Sequence, residues 1–344
     1  MSTLLITHPA CLDHLTPSGH PERPDRLRAV ERALEAEKFQ SLARVEAPMA
    51  PFEIIALCHP MDYITEIRDA TPEQGMVRLD ADTSISPGSF EAALRAVGGA
   101  VHAVDEVLSN KAANAFVAIR PPGHHAETAR PMGFCFFDNA AIAARYAQER
   151  HGVARAAIVD FDVHHGNGSQ DIFYESPEVL YVSTHQYPQY PGTGSLHEIG
   201  YGAGLGFTVN APMPAEFGDA EYIRVFDRLI MPIGRHFKPE FILVSCGFDA
   251  HFRDPLAQMR VTEAGFAAMA RRMKRLAAEC CGGKMVAALE GGYDLEAIAE
   301  SGRAVIDEFG RDADEPIRAD DGGDRAMPMI ERAAQNVGRF WNLG

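Results

Sequence analysis

The chain has 344 residues, 46% hydrophobic and 23% charged, a composition that excludes a disordered chain, a coiled coil and a small disulfide scaffold. Its 32 basic and 48 acidic residues give a formal net charge of −16, so we expect no binding to nucleic acid or to an anionic membrane. The six cysteines form no C-x-x-C pair, and no apolar stretch is long enough to cross a membrane. The first ten residues lack the pattern of a signal peptide. We therefore expect a reduced, soluble, cytoplasmic protein.

In chain order, amphipathic helical patterns alternate with short apolar runs. Each apolar run has four or five residues without polar alternation, which is typical of strands buried on both faces of a parallel sheet. This alternation predicts an α/β fold, and the lack of a linker or repeat predicts one catalytic domain over residues 1–344. Helices are expected at 23–38, 89–108, 139–149, 220–237, 262–280, 295–309 and 329–337, strands at 115–119, 156–159, 179–182, 241–244 and 285–289, and a loop after Gly310.

Four of the five predicted strands are followed at once by polar residues that a hydrophobic core does not need. Because sites in α/β sheets form at the carboxyl ends of the strands, we expect the His, Asp and Tyr side chains of these segments to converge. The segments are 120–125 (RPPGHH), 160–168 (DFDVHHGNG), 245–251 (SCGFDAH) and 290–294 (EGGYD).

Two of these segments carry residues that resemble metal ligands. Asp160, Asp162 and His164 alternate along the chain, so on an extended backbone they point to one face. Asp162, His164 and Asp249 would supply three ligands and leave one coordination position for water, as in a catalytic zinc site. The alternative is an ordinary loop with solvated carboxylates, which the other strand ends make less favoured.

The remaining segments fit the chemistry that such a metal would need. Two carboxylates and a neutral imidazole cancel the charge of Zn²⁺, so the metal should acidify a water less than one held by three histidines. A separate general base is then needed, and His124 and His125 can supply it. Tyr293 follows two glycines that give the backbone freedom, and its hydroxyl could donate to an oxyanion. A structural histidine pair and a turn with a packed aromatic are the alternatives.

Eight motifs cover nearly the whole chain: GHPERPDRLRAV (19–30), DTSISPGSFEAAL (82–94), RPPGHHAE (120–127), MGFCFFDNAAIAA (132–144), VDFDVHHGNG (159–168), YPGTG (190–194), SCGFDAHFRDPL (245–256) and LEGGYDL (289–295). In residue pattern and in order along the chain, these motifs resemble those of the histone deacetylase family, which includes acetylpolyamine amidohydrolases and bacterial deacetylase-like amidohydrolases. The resemblance is stronger to the class II branch than to class I. It implies the arginase–deacetylase fold, with a mostly parallel sheet of about eight strands flanked by helices.

The resemblance also implies roles for individual residues. Asn167 follows the class II variant, and a neutral Asn should raise the pKa of a histidine less than the class I carboxylate does. By this resemblance the zinc ligands are Asp162, His164 and Asp249. The resemblance makes His125 the general base and acid, His124 its electrostatic partner and Tyr293 the carbonyl-polarising residue, and Asp160 and Asn167 the groups that hydrogen-bond the histidines. The substrate-binding residues that it implies are Gly133, Phe134, Tyr190 and Leu256.

Further features follow from the family alone. Arg26 matches a buried arginine of an internal acetate channel, with a helix-surface arginine as the alternative. Glu290 stands where class I members have Gly, and we expect little effect on chemistry there. The family binds K⁺ beside the zinc, which implies one site at Asp160, Asp162, His164, Ser183 and Thr184 and a second near Phe173, Ser176 and Val179.

We therefore expect a zinc-dependent amidohydrolase that removes an acetyl or other acyl group from a lysine-like or small amine. Leu256 stands where polyamine-specialised members can carry Glu, so acyl-lysine is favoured, and an acetylpolyamine deacetylase is the alternative. An inactive acyl-amine binding protein and a ureohydrolase of the arginase type are less favoured. The expected partner is the acylated amine, without nucleic acid or membrane, and a homo-oligomer is compatible with the sequence.

Overall fold

Eight strands, paired in parallel throughout, form the central sheet of the protein, whose computed structural model describes residues 2–312 and 322–341. They are β1 (Thr3–Thr7), β2 (Ala43–Glu46), β5 (Asn114–Val117), β6 (Ala156–Asp160), β7 (Val179–Gln186), β8 (Thr208–Met213), β9 (Phe241–Cys246) and β10 (Met285–Leu289). A separate antiparallel hairpin joins β3 (Val77–Arg78) to β4 (Ser84–Ile85). The order across the large sheet is β2-β1-β5-β10-β9-β6-β7-β8, which confirms the predicted fold class.

The sequence predicts the inner strands better than the edges. All five predicted strands are present, because β5, β6, β7, β9 and β10 are buried along their whole length. β1, β2 and β8 are not predicted. Every residue of the edge strand β2 is exposed, and β8 at the opposite edge contains Asn210 and Pro212, so neither strand forms an apolar run.

Helices cover both faces of the sheet. The crossover from β5 to β6 and the crossover from β9 to β10 run in opposite directions across it, so right-handed connections place their helices on opposite faces. The helices are α1 (Asp25–Ala33), α2 (Phe52–Ile55), α3 (Met61–Ala70), α4 (Ser89–Leu108), α5 (Asn139–His151), α6 (Asn167–Phe173), α7 (Asp219–Val225), α8 (Met231–Phe237), α9 (Glu263–Cys281), α10 (Leu295–Gly310) and α11 (Met327–Val337). α4 packs against α5 on one side, and α10 packs against α9 and α1 on the other.

Two predicted helices differ from the observed ones. The helix predicted at 23–38 is shorter, since α1 begins after Pro24 and ends at Ala33, and a 3₁₀ turn follows at Glu37–Phe39. The helix predicted at 220–237 is interrupted by a π turn at Phe226–Ile230 between α7 and α8. Pro232 has no N–H for the α-helical hydrogen bond to residue 228, which accounts for the wider turn before it.

The structure bears on two further predictions. Within residues 2–312 and 322–341, no helix combines the length and the hydropathy that a membrane span requires. All six cysteines are free, as expected. The loop predicted after Gly310 lies largely outside the described residues. The assignment of residues 1–344 to one catalytic domain stays a prediction.

Candidate active site

The carboxyl ends of β5, β10, β9 and β6 are neighbours at the centre of the sheet. The loops that follow these four strands carry the histidine pair, Tyr293, Asp249 and the 160–168 segment, in that order. Four segments that are far apart in sequence therefore meet at one edge, as the pattern of polar residues after the strands predicts.

The structure brings the three predicted metal ligands together. Asp162, His164 and Asp249 each offer one ligand atom, and these atoms lie within 4.8 Å of one another. The Nδ1 atom of His164 is 3.0 Å from Asp249 Oδ2 and 3.2 Å from Asp162 Oδ1. All three residues are buried. The arrangement leaves the two carboxylates and the imidazole facing a common point.

Backbone N–H groups fix both carboxylates. Asp162 Oδ2 accepts a hydrogen bond from Gly291 N at 2.7 Å, and Asp249 Oδ1 accepts one from Val163 N at 2.8 Å. A Cβ atom on Gly291 would lie 2.2 Å from Asp249 Oδ2 and 2.5 Å from Asp162 Oδ2. Gly291 is therefore required by close approach to the ligands, and only Gly292, with φ +114°, needs the conformational freedom predicted for both.

The charge of this group fits a divalent cation. Burial and then the charge of Asp162 raise the pKa of Asp249, because two carboxylates buried so close together repel each other. A cation would remove that repulsion. Two carboxylate oxygens and one imidazole nitrogen are ligands that Zn²⁺ takes in catalytic sites. Asp162, His164 and Asp249 therefore fit the predicted metal.

The rings of the two histidines lie next to each other, tilted by 42°, and have different partners. Their ring centroids are 4.0 Å apart. His124 Nδ1 is 2.9 Å from Asp160 Oδ2, and His125 Nδ1 is 2.8 Å from Asn167 Oδ1. Each histidine thus contacts the residue that the family resemblance assigns to it, one a carboxylate and the other an amide.

The surroundings of the two histidines shift their pKa values in opposite directions. Burial favours the neutral form of both rings, but the charges of Asp160 and Asp162 hold the pKa of His124 well above its ordinary value. Burial and then the positive charge of His124 keep the pKa of His125 well below its ordinary value. These opposite shifts favour the protonated form of His124 and the neutral form of His125. A pair separated in this way can divide acid and base roles.

Tyr293 is held in place from two sides. Asp254 Oδ2 accepts a hydrogen bond from Tyr293 N at 2.7 Å. Arg26 lies under the ring at 4.8 Å and donates to the backbone oxygens of Gly292 at 2.6 Å and Glu290 at 2.5 Å. Arg26 is fully buried, so the alternative of a helix-surface arginine is wrong. Burial raises the pKa of Tyr293, so its hydroxyl stays protonated and can donate.

A cavity of about 210 Å³ leads to this group. It is lined by all four predicted substrate-binding residues and also by Asp82, an acidic residue expected at the rim, and by Gln189, which the sequence does not assign. Phe134 forms one wall and adopts φ +69° directly after Gly133 at φ +57°. Its ring meets Tyr293 edge-on at 5.9 Å, and the ring of Tyr190 meets His125 at 5.2 Å. The cavity therefore has aromatic walls and ends at the polar group.

Residues of the predicted K⁺ sites lie around β6 and β7. Ser183 lies opposite Asp160 in the pairing of these strands, and Thr184 Oγ1 donates to Asp160 O at 3.4 Å. Ser176 N donates to Phe173 O at 3.0 Å, three residues before β7 begins. Each predicted set is therefore local in space.

Three acidic residues make contacts in the site that the sequence does not predict. Glu290 Oε2 accepts hydrogen bonds from Gly123 N at 2.7 Å and His124 N at 3.2 Å, so this residue supports the histidine loop. Glu127 Oε1 accepts from Asn167 Nδ2 at 2.8 Å. Asp254 is the acceptor for Tyr293 N. The only signal for these residues is their position inside the motifs, beside the matched ones.

Comparison with known proteins places the chain in a family. Residues 20–309 match the family described as "Histone deacetylase domain". The chain is 42% identical over 326 residues to "Histone deacetylase 10, chloroplastic" of Oryza sativa subsp. japonica, covering 90% of this chain and 73% of that protein. It is 39% identical over 298 residues to "Polyamine deacetylase HDAC10" of Homo sapiens, covering 83% of this chain and 44% of that protein.

A solved structure agrees. "Crystal Structure of HDA15 HD domain" matches with a TM-score of 0.90 and 34% identity, covering 99% of this chain and 95% of that chain. The match confirms the arginase–deacetylase fold. The chain belongs to the histone deacetylase family, and it is a deacetylase.

Proposed function

We propose that the protein is a zinc-dependent deacetylase that hydrolyses the N-acetyl amide of a lysine-like side chain or small amine. The observation that carries the proposal is the meeting of a three-ligand group, a histidine and a buried tyrosine at the end of one aromatic-walled cavity. Asp162, His164 and Asp249 would hold the zinc, which when bound polarises the amide carbonyl and makes a water more acidic.

His125 is the proposed general base and then acid. Its Nδ1–H donates to Asn167 Oδ1, so the unprotonated Nε2 is the nitrogen that can take a proton. Nε2 removes a proton from the water molecule whose oxygen attacks the carbonyl carbon of the amide. His125 then gives the proton to the amide nitrogen, the C–N bond breaks, and acetate and a free amine are the products.

His124 and Tyr293 stabilise the charge that develops during this attack. His124 stays protonated through its contact with Asp160, so it places a fixed positive charge beside His125. Tyr293 keeps its hydroxyl proton and donates it as a hydrogen bond to the carbonyl oxygen as that oxygen becomes negative.

The walls of the cavity favour a long apolar chain that ends in an amide. Phe134 and Tyr190 offer flat faces to methylene groups, and Leu256 adds an apolar side chain at the same cavity. These contacts support an acyl-lysine substrate. An acetylpolyamine is the second candidate, supported by the carboxylate of Asp82 in the lining and by the relative called a polyamine deacetylase.

The two less favoured functions, an inactive binding protein and a ureohydrolase, find no support in this geometry. A binding protein would not need the complete set of ligands, base and oxyanion donor. A ureohydrolase needs two adjacent metals, whereas residues 2–312 and 322–341 contain one group of three possible ligands. The proposal also includes K⁺ at the two predicted sites beside β6 and β7. It further includes a cytoplasmic location, with which six free cysteines are consistent.

The test compares wild type, His125→Ala and Tyr293→Phe on an acetyl-lysine peptide, with zinc measured in each protein. Both variants should keep zinc and lose at least about 10²-fold in kcat, because one lacks the base and the other the oxyanion donor. Tyr63→Phe is the control, because it removes a buried hydroxyl that bonds Phe136 O at 2.6 Å outside the site. Wild-type turnover in Tyr293→Phe would contradict the proposal.

A further inference from the structure

The amide of Asn167 bridges two side chains of opposite hydrogen-bonding character. Its Oδ1 is 2.8 Å from His125 Nδ1, and its Nδ2 is 2.8 Å from Glu127 Oε1. Asn167 is 5% exposed and His125 is 4% exposed, so water competes little for these contacts. A continuous chain of hydrogen bonds therefore joins the carboxylate of Glu127 to the ring of His125.

The two ends of this amide are not interchangeable. A carboxylate only accepts hydrogen bonds, so the NH₂ end of Asn167 must face Glu127. If the amide were flipped, its oxygen would lie against the carboxylate and its NH₂ against His125. Two weaker acceptors, His125 O at 3.4 Å and Met132 Sδ at 3.3 Å, lie on the same side as Glu127. Glu127 is the charged acceptor and the closest of the three.

The orientation of the amide decides which nitrogen of His125 carries the proton. With Oδ1 of Asn167 facing Nδ1, the neutral ring must hold its hydrogen on Nδ1 and keep Nε2 free. With the amide reversed, Nδ1 would become the acceptor and the hydrogen would move to Nε2. A neutral His125 in that form could not take a proton at Nε2.

We propose that Glu127 is a positioning residue that fixes the Asn167 amide and thereby the tautomer of His125. The proposal rests on the proposed role of His125 as the base. It gives this chain a carboxylate at the end of the hydrogen-bond chain, although the residue in contact with His125 is a neutral Asn. Glu127 acts through Asn167 and does not line the substrate cavity.

The turn that carries Glu127 is tied to the helix that carries Asn167. Glu127 N donates to Arg130 O at 3.1 Å and closes a turn. Thr128 N and Oγ1 donate to Asp171 Oδ2 at 3.1 and 2.7 Å, which ties the turn to α6. α6 begins at Asn167, so Glu127 and Asn167 have a common support. The contact therefore does not depend on a free surface side chain.

The first test separates the negative charge of Glu127, its hydrogen-bond acceptor oxygen and the turn that carries it. Glu127→Ala should lower kcat between about tenfold and a hundredfold with KM unchanged, as loss of an orienting partner does. Glu127→Gln still offers an amide oxygen, so kcat should stay within about threefold of wild type. Thr128→Val removes the Oγ1 bond to Asp171 but keeps the bond from Thr128 N and the Glu127 carboxylate itself, so its loss of kcat should be smaller than that of Glu127→Ala. Wild-type kcat in Glu127→Ala, or an equal loss in Thr128→Val, would overturn the proposal.

The second test reverses the polarity of the contact. Asn167→Asp would place two carboxylates in contact and should lower activity, whereas adding Glu127→Gln supplies an NH₂ donor and should restore at least about tenfold. Failure of the double variant to exceed Asn167→Asp would contradict the role of Glu127. The double variant also controls for a folding defect, since it keeps the same Asp.

A spectroscopic readout is independent of turnover. In the zinc-loaded protein labelled with ¹⁵N-histidine, the His125 signals, identified by their loss in His125→Ala, should show an Nδ1–H form in wild type and Glu127→Gln. Glu127→Ala should show a mixture of both tautomers. An unchanged Nδ1–H form in Glu127→Ala would overturn the proposal. Absence of deacetylase activity in wild type would contradict the proposed function alone, because this readout would still report on Glu127.

Discussion

The carboxylate of Asp254 accepts the backbone N–H of Tyr293 at 2.7 Å and, through its other oxygen, the N–H of Leu256 at 3.0 Å. Asp254 is 6% exposed. One buried side chain therefore ties the residue proposed to polarise the substrate to a residue that lines the cavity. Through this link, the loop after β9 sets the position of the loop after β10.

Removing this anchor should affect turnover more than folding. Asp254→Ala should lower kcat about tenfold or more with zinc retained, because a displaced Tyr293 hydroxyl no longer meets the carbonyl oxygen. The matched control is Asp219→Ala, which removes a carboxylate that likewise accepts a backbone N–H from a distant segment, that of Thr262 at 2.7 Å, outside the site. Equal losses of kcat in the two variants would show that Asp254 acts through stability only.

Gly133 is packed against the proposed base. A Cβ atom at this residue would lie 2.3 Å from His125 Cδ2, and its φ is +57°. Gly133→Ala should displace the imidazole and lower kcat about 10²-fold. Gly152→Ala provides the same backbone strain, about 1–2 kcal/mol, at φ +68° with nothing within 4 Å. Gly133→Ala with the kcat of Gly152→Ala would refute the contact.

Glu290 should make stability depend on pH. Burial raises its pKa to about 8, and its Oε1 has no hydrogen-bond partner in the described structure. The folded protein therefore favours the protonated form, and this stabilisation is complete below the unfolded pKa of about 4.3 and lost as pH rises through about 8.

The Glu290→Gln side chain cannot ionise. The Tm of this variant minus the Tm of wild type should therefore increase as pH rises from 5 to 8, measured with both proteins fully loaded with zinc. Glu300→Gln removes a charge at a partly exposed position of α10 and controls for the change in net charge. A Tm difference between Glu290→Gln and wild type that stays constant over this range would show that Glu290 does not titrate there.

Leu256 should favour a lysine-like amide over a polyamine. It lines the cavity and its carbonyl accepts from Gln189 Nε2 at 2.9 Å, which fixes its backbone. Wild type should have a higher kcat/KM for an acetyl-lysine peptide than for N-acetylspermidine, and Leu256→Glu should shift this ratio toward the polyamine by attracting its second ammonium group. Asp82→Asn tests the other carboxylate at the cavity. A tenfold polyamine preference that Leu256→Glu leaves unchanged would exclude this position as a selector.

The sequence predicts the strands buried on both faces inside the sheet better than the strands at its edges. β9 and β10 are buried on both faces and form continuous apolar runs, whereas β2 is exposed and β8 carries Asn210 and Pro212. The break between α7 and α8 depends on the hydrogen bond that Pro232 cannot make. An amphipathic pattern does not reveal that break, because the apolar residues continue through it.

The candidate site also contains residues that the sequence predicts and residues that it does not. Asp162, His164 and Asp249 follow strands, so the rule for strand ends predicts that they meet. Glu127 and Asp254 act through hydrogen bonds to groups about 40 residues away, at Asn167 and Tyr293. Such contacts have no spacing or periodicity in the sequence, so only the structure identifies the partners.

The most direct test of the proposed chemistry is a zinc titration of chelator-treated protein while acetate release from an acetyl-lysine peptide is followed. Activity should rise in proportion to zinc, level off at about one zinc per chain, and stay absent in Asp249→Ala. Full turnover in metal-free wild type, or an equal response in Asp249→Ala, would contradict a mechanism centred on Asp162, His164 and Asp249.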